Sequence, residues 1–285
     1  MSVQKHLTTA DDMAPVTLKV GPVRWRVRSA AVAAAIHELL HDPEAWLNQK
    51  TTLIQNTRQV LIARVTLPFA PCERALLRRS NYTKPAARWR DFFRTSGPHR
   101  AFRYALALER AGIATPRVLA AGIVRSYHVP KTGYLLVEEI VPAMTLATLA
   151  QRPGPILASD IRRVAGMIAR MHGQGFIHGD LTINNLLLDA QGQPWFIDLE
   201  RGRRCLRPLS WRQAVEDFHR FARYVGDFSV PARLGALRLL KYYCAERGWA
   251  GREREFVEAL FRRLKHKLEV DRHKPRRIRE DRGLS

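Results

Sequence analysis

The fold of this chain is decided by two short stretches of its sequence, HGDLTINN at residues 178–185 and IDLE at residues 197–200. The apolar runs between them, interrupted by turn-forming residues, predict a β-hairpin over residues 186–197. A hairpin of that length brings its two ends together. We therefore expect Asn185, before the first strand, and Asp198, after the second, to lie close to each other.

Asp180 precedes Asn185 by five residues, in a segment that the pattern predicts to be a loop after a strand. Phosphoryl transfer needs a carboxylate that accepts the proton of an attacking hydroxyl, and oxygen ligands for a metal ion that bridges the phosphates. Carboxylate and amide oxygens are ligands that Mg²⁺ prefers. The three side chains therefore predict a phosphotransferase site, with Asn185 and Asp198 converging on one metal and Asp180 beside them.

The order of these residues resembles a known family. The H-G-D-L-x-x-x-N spacing at residues 178–185 is similar to the catalytic loop of protein kinases. The stretch IDLERGR at residues 197–203 and the stretch GIATPRVLA at residues 112–120 are most similar to the bacterial lipopolysaccharide kinase family of the Kdo/WaaP type, which is related to the RIO kinases. The resemblance covers roughly residues 50–225.

The resemblance implies an α+β, protein-kinase-like fold with two lobes. Residues 1–139 would form an N-terminal lobe with a nucleotide-binding sheet, and residues 140–285 a helical C-terminal lobe with the catalytic loop and a basic tail. The hydrophobic patterning agrees, because strand-like runs dominate the first half and helical periodicity the second. Residues 134–142 form the predicted connection between them.

In the lobe that carries the motif, the resemblance implies that Asp180 is the catalytic base and that Asn185 and Asp198 bind Mg²⁺. It also implies that His178 supports the loop. For Asp217, on the predicted helix over residues 210–225, we favour a solvated position over a role in bracing the site.

For the nucleotide, the resemblance implies that the backbone around Glu138 and Ile140 pairs with the adenine of ATP. The turn at residues 55–58 would cover the phosphates, although it lacks glycine. Arg78 stands where the family has a lysine that holds the phosphates, and Lys84 is a second candidate. In the predicted helix over residues 100–111, the only glutamate available to pair with that cation is Glu109.

Three further predictions concern the elements around the site. A helix is predicted over residues 29–40 with Ser29 as its N-cap, and another over residues 159–172 with Ser159 as its N-cap. Strand-like runs at residues 51–54, 59–67 and 72–79 predict an antiparallel three-stranded meander.

The chain has 285 residues with 48 Lys or Arg and 26 Asp or Glu, a formal net charge of +22. Such an excess is informative about partners rather than fold, and it favours a polyanion. Given the resemblance, we expect a lipopolysaccharide core glycolipid at an anionic membrane surface, and a nucleic-acid partner is not favoured. No segment is long and apolar enough to span a bilayer, so the expected membrane contact is peripheral. Three widely spaced cysteines and the absence of a signal peptide favour a cytoplasmic protein. The resemblance implies a location at the cytoplasmic face of the inner membrane.

Three functions remain open from the sequence. The first is an ATP-dependent kinase of heptose or Kdo in the lipopolysaccharide core. The second is a RIO-like protein kinase or a small-molecule phosphotransferase, although the basic charge disfavours a cationic small-molecule substrate. The third is a pseudokinase that binds polyanions without catalysis, which the missing lysine supports and the complete set of acidic and amide residues opposes.

Overall fold

The computed structural model describes residues 14–48, 53–68, 73–82, 96–152, 156–225 and 230–272. The chain divides into two compact units. The first consists of Met1–Arg110, Thr115–Ile140 and Leu199–Arg201, and the second of Ala111–Ala114, Val141–Asp198 and Gly202–Ser285.

The first unit is built on a seven-stranded sheet in which every neighbouring pair is antiparallel. The strand order is β1-β2-β6-β7-β5-β4-β3. The strands are β1 Val16–Val20, β2 Val23–Val27, β3 Leu53–Asn56, β4 Val60–Thr66, β5 Arg74–Asn81, β6 Val118–Ser126 and β7 Val129–Glu138. The predicted meander is confirmed as β3, β4 and β5.

Strands β1 and β2 were not predicted. The runs VTLKV and VRWRV alternate apolar and polar residues, and Gly21 makes the turn between them with φ +55°. Trp25 of β2 is fully buried, stacks on Tyr134 with 5.7 Å between ring centroids, and donates its indole N–H to the carbonyl of Leu40 at 3.1 Å. This strand pair therefore supplies the centre of the first core.

The helix predicted over residues 29–40 is two short helices in the structure. Ser29 caps α1, Ala30–Ala35, by accepting a hydrogen bond from the Val32 N–H at 3.2 Å. The chain leaves helical geometry at Ile36, where φ is −107° and ψ is +21°, and resumes as α2, His37–His41. Helix α3, Pro43–Asn48, follows, and α4, Gly97–Arg110, packs on β6.

The second unit is mainly helical. Its helices are α5 Leu146–Gln151, α6 Ala158–Gly173, α7 Trp211–Val225, α8 Val230–Glu246 and α9 Glu253–Arg272. Its strands are β8 Ala143–Thr145, β9 Phe176–Ile177, β10 Leu186–Asp189, β11 Pro194–Phe196 and β12 Arg203–Arg204. The predicted hairpin is confirmed as β10 and β11, with β8 adding a third antiparallel strand.

Ser159 is not the N-cap of α6, contrary to the prediction. Helix α6 begins one residue earlier, and its N-cap position is Leu157, which makes no side-chain cap hydrogen bond.

The core behind this helix is aromatic: the Phe218 ring packs edge-on against Tyr243 and Phe256, with ring centroids 4.8 Å and 5.8 Å apart. This packing fixes α7, which contributes to the site described below.

Within the described ranges, no helix is both long enough and apolar enough to cross a bilayer.

Candidate active site

The loop at residues 178–185 is tied to the end of the hairpin by His178. Its ring is fully buried and its Nδ1 accepts a hydrogen bond from the Asp180 N–H at 3.3 Å. Nε2 must then carry the proton, which it donates to the carbonyl of Ile197 at 3.1 Å. Burial lowers the pKa of His178, so the neutral ring is favoured. His178 thereby joins the backbone of Asp180 to the residue that precedes Asp198.

The Asp217 carboxylate, on α7, also holds this loop. It accepts hydrogen bonds from the backbone N–H groups of His178 and Gly179, at 2.8 Å and 2.7 Å, and lies 3.1 Å from Nε2 of His172. Burial alone would raise the pKa of Asp217, but hydrogen bonds and charge from His172 and the contacts to the loop hold the pKa below its ordinary value. The preference for a solvated Asp217 was wrong, because the residue is only 4% exposed.

Asp180 itself is positioned from two sides. Arg220, one helical turn after Asp217 on α7, places Nη1 at 2.5 Å from Oδ1 of Asp180. The amide of Asn185 donates to the backbone carbonyl of Asp180 at 2.9 Å. The side chain of Asp180 stays 20% exposed, so a substrate hydroxyl can reach the carboxylate. Arg220 carried no signal in the sequence analysis, because an arginine on an amphipathic helix is ordinarily a solvated residue.

The hairpin brings Asn185 and Asp198 together, as its length predicts. Leu186 pairs with Phe196, and the Ile197 N–H donates to the carbonyl of Asn185 at 3.1 Å, so Asp198 follows directly on the residue bonded to Asn185. Asp198 is exposed and has φ +57°, a left-handed conformation that is uncommon outside glycine. Strained backbone of this kind concentrates at functional sites.

The donor chemistry at this corner fits Mg²⁺. The nitrogen of the Asn185 amide is used by the Asp180 carbonyl, which leaves its oxygen for another partner. Together with the exposed Asp198 carboxylate it offers the small set of oxygen ligands with which proteins hold magnesium on phosphates. Among the residues with described positions, no cluster of three or more His, Cys, Asp or Glu side chains forms a self-sufficient metal cage.

In the first unit, Arg78 lies on β5, paired with Leu135 of β7. Its Nη1 is 3.4 Å from Oε1 of Glu200, and the two side chains are 23% and 24% exposed. Glu200 is held in turn by α4: the Arg100 Nε donates to its backbone carbonyl at 3.1 Å. A side chain at Gly97 would begin only 3.0 Å from Oε2 of Glu200, so glycine leaves room for the carboxylate.

The acidic partner of Arg78 therefore comes from the segment after Asp198. Glu109, the glutamate that the sequence analysis considered, is engaged elsewhere: it forms a bidentate pair with Arg28, with distances of 2.6 Å and 3.1 Å. Lys84, the second candidate for the phosphate contact, lies outside the described residues.

The predicted adenine-binding segment, around Glu138 and Ile140, lies at the end of the stretch Thr115–Ile140 of the first unit. The Glu138 N–H donates to the Arg117 carbonyl at 2.9 Å, and the Glu138 carboxylate lies 3.8 Å from Arg117. Glu139 pairs with Arg64 at 2.6 Å. Ile140 is the last residue of this stretch of the unit.

Comparison with solved structures agrees with this architecture. The chain is similar to a protein described as WaaP in complex with acyl carrier protein, with a TM-score of 0.58 at 18% identity, covering 85% of this chain and 98% of that one. At that identity the likeness concerns the fold alone. The predicted α+β, protein-kinase-like fold is confirmed.

Comparison with curated proteins finds relatives named 3-deoxy-D-manno-octulosonic acid kinase. The relative from Xylella fastidiosa strain M12 is 33% identical over 129 residues, 44% of this chain and 51% of the relative. The relative from Vibrio vulnificus strain YJ016 is 30% identical over 165 residues, 57% of this chain and 69% of the relative. The match thus spans about half the length of the Xylella protein.

The wider family is matched over a longer range. Residues 44–243, more than half of the 285-residue chain, match the family described as Lipopolysaccharide kinase (Kdo/WaaP) family. This range contains Arg78, Asp180, Asn185 and Asp198, and it confirms the resemblance drawn from the two motifs. The chain belongs to the lipopolysaccharide kinase family of the Kdo/WaaP type.

Proposed function

We propose that this protein is a kinase that transfers the γ-phosphoryl group of ATP to a hydroxyl of an inner-core sugar, Kdo or heptose, of lipopolysaccharide. Family membership supports the kinase activity and the lipopolysaccharide acceptor. The observation that carries the proposal is the hairpin pairing that joins Asn185 and Asp198 beside a loop fixed by Asp217.

In this proposal Asp180 is the catalytic base. Its Oδ1 is hydrogen-bonded to Arg220, and its backbone is held by His178 and Asn185, so the carboxylate is oriented before a substrate arrives. It accepts the proton of the acceptor hydroxyl as the new O–P bond forms, and the leaving group is ADP.

Asn185 and Asp198 bind Mg²⁺ through their side-chain oxygens. Bound there, the metal neutralises charge on the phosphates of the nucleotide. Arg78 contacts the phosphates as a guanidinium held by Glu200, and Lys84 is the other basic candidate for this contact. The backbone of Glu138 and Ile140 binds the adenine.

Of the two sugars, the curated relatives favour Kdo, because those from Xylella and Vibrio carry that substrate in their names. The acceptor is anionic and is held in the inner leaflet, which agrees with the net charge of +22 and with a location at the cytoplasmic face of the inner membrane.

The experiment is phosphoryl transfer from γ-labelled ATP with Mg²⁺ to purified deep-rough lipopolysaccharide, followed by identification of the labelled sugar. We expect label on Kdo, and loss of transfer by about a thousandfold in Asp180→Asn, since a positioned base contributes roughly a hundredfold to ten-thousandfold. Transfer to heptose would correct the sugar. ATP binding without transfer to either sugar, in the wild type as in the variant, would overturn the proposal.

A further inference from the structure

The segment that follows Glu200 is strongly basic. Residues 201–215 contain five arginines and no acidic residue. All five are exposed, and three of them, Arg203, Arg204 and Arg207, stand on either side of Leu206. We call residues 202–208 the arginine loop.

The arginine loop lies beside the strand that enters the catalytic loop. Arg203 pairs with Ile177 and Arg204 with Phe176 in an antiparallel ladder. Asp180, the proposed catalytic base, is three residues beyond Ile177. The arginine loop is therefore paired with the strand that leads into the catalytic loop. The guanidinium of Arg204 lies over the ring of the buried Phe176, at 4.8 Å from its centroid.

The backbone of the arginine loop is fixed rather than loosely attached. The Cys205 N–H donates to the carbonyl of Gly175 at 2.7 Å, and the Leu209 N–H donates to the carbonyl of His172 at 2.9 Å. Leu209 is buried, so it anchors the end of the loop in the core. The loop therefore presents its side chains from a defined position.

Leu206 is completely exposed, with a relative accessibility of 106%. A single exposed leucine is ordinary, but this one projects from an anchored loop between arginines. Within the described part of the chain, no carboxylate lies within ion-pair distance of Arg203, Arg204 or Arg207. Cations surrounding an apolar side chain match the surface of an anionic bilayer, where phosphates lie above acyl chains.

We propose that the arginine loop is the surface by which the protein docks on an anionic lipid leaflet, with its arginines on lipid phosphates and Leu206 among the acyl chains. The inference rests on the proposed function, because docking here brings a membrane-held acceptor next to the strand that leads into the loop of Asp180. It adds to that function a defined contact surface next to the catalytic loop.

The test is co-sedimentation of the full-length protein with vesicles of phosphatidylcholine alone and with added phosphatidylglycerol. We expect binding only with the anionic lipid, falling as salt is raised. Replacing all three arginines, Arg203→Gln with Arg204→Gln and Arg207→Gln, should weaken binding about a hundredfold, since each arginine near the surface contributes about fivefold. Leu206→Ser should weaken it about tenfold, and the variant should fold normally because the Leu206 side chain is fully exposed.

The matched control removes the same charge from helices of the same unit: Arg238→Gln with Arg254→Gln and Arg262→Gln, all exposed in the wild type. Equal loss of binding in both triple variants would mean that net charge alone acts, and would overturn the inference. Unchanged vesicle binding in the loop variant, with loss of binding to a single-stranded oligonucleotide, would replace the lipid by a nucleic acid. Because vesicle binding needs no turnover, vesicle binding without phosphoryl transfer would refute only the proposed function.

Discussion

Arg78 of β5 and Glu200 lie 122 positions apart in the sequence and form an ion pair at 3.4 Å within the first unit. Glu200 follows the proposed metal ligand Asp198 by two residues. The segment that would bind the metal therefore also supplies the partner of the cation proposed to hold the phosphates. In kinases generally such a cation pairs with a glutamate from a helix; here the helix α4 contributes instead the Arg100 side chain and the glycine that accommodate Glu200.

The first prediction concerns this pair. Arg78→Gln should lower kcat/KM for ATP about a hundredfold, because a charged contact to the phosphates is lost. Glu200→Gln should lower it about tenfold, mainly through KM, because the guanidinium loses the carboxylate that orients it. Glu200→Asp should recover part of the loss. Steady-state kinetics at varied ATP measure these effects.

Glu109→Gln is the control for the first prediction. Glu109 is similarly buried, at 18% side-chain exposure, and pairs with Arg28 in the same unit. Its loss should reduce stability without changing KM for ATP. If Glu200→Gln and Glu109→Gln change KM alike, Glu200 has no special relation to the nucleotide.

The second prediction concerns Asp217. Asp217→Asn replaces one of the two acceptor oxygens by an NH₂ group, which cannot accept a hydrogen bond. One of the backbone N–H groups of His178 and Gly179 therefore loses its partner in a buried position. The free energy of unfolding should fall by about 3 kcal/mol, and transfer activity should fall with it, because the loop that carries Asp180 loosens. Urea unfolding of the two proteins measures the first effect.

The neighbouring residue provides a control for Asp217. Glu216 is on the same helix and pairs with Arg263, but its side chain is 41% exposed. Glu216→Gln should therefore cost less than about 1 kcal/mol. Similar losses in the two variants would show that Asp217 is not the brace that its hydrogen bonds indicate.

The site was predictable where it depends on residues that are close together in the sequence. The apolar runs, the turn and the hairpin length were enough to place Asn185 next to Asp198, because register follows from the loop between two strands. Strands β1 and β2 also carry a local signal, the alternation of apolar and polar residues on each side of Gly21, although no strand was predicted there.

Other parts of the site could not be predicted from periodicity. Asp217 lies among the buried positions of α7, and a pattern that treats every aspartate as solvent-facing assigns it to the wrong face. Its burial is stabilised by N–H groups 38 and 39 positions away and by His172, 45 positions away. The pairing of Arg78 with Glu200 likewise depends on tertiary packing. Ser159 had the right residue type for an N-cap, but α6 begins before it.

The third prediction concerns pH. Burial, together with the charges of Arg26 and Arg125, lowers the pKa of His99 to about 4, against 6.5 for a free histidine, and burial also lowers the pKa of His178. Near pH 6.5 these two histidines therefore bind protons in the unfolded chain but not in the folded chain. Acidification consequently favours unfolding. The free energy of unfolding should fall as pH is lowered from 7.5 to 5, and for His99 the loss should continue until about pH 4.

Urea unfolding at several pH values tests this prediction with two variants. In His99→Gln the free energy of unfolding should fall less between pH 7.5 and 5 than in the wild type. Of the two histidines, only His178 then takes up a proton when the variant unfolds. His266→Gln, at an exposed position of α9, should follow the wild-type curve. A His99→Gln curve as steep as that of the wild type would mean that His99 does not contribute.

The fourth prediction concerns the glycine beneath the arginine loop. Gly175 and Gly248 both have a positive φ, +80° and +68°, so alanine at either position costs about 1 kcal/mol in backbone strain. Among the described residues, no atom lies within 4 Å of a Cβ built at Gly248. A Cβ at Gly175 would lie 2.6 Å from the Cys205 carbonyl oxygen and 2.8 Å from that of Arg207. Gly175→Ala must therefore displace the loop backbone, and we expect it to cost about 3 kcal/mol in all.

The two alanine variants separate backbone strain from displacement of the loop. In urea unfolding Gly248→Ala should lose only the strain, and its binding to anionic vesicles should equal that of the wild type. Gly175→Ala should lose both stability and vesicle binding, because the Cys205 N–H bonds to the carbonyl of Gly175 and the two segments move together. Equal stability of the two variants would mean that the arginine loop yields easily to a methyl group, and a docking surface that depends on a fixed loop would then lose its physical basis.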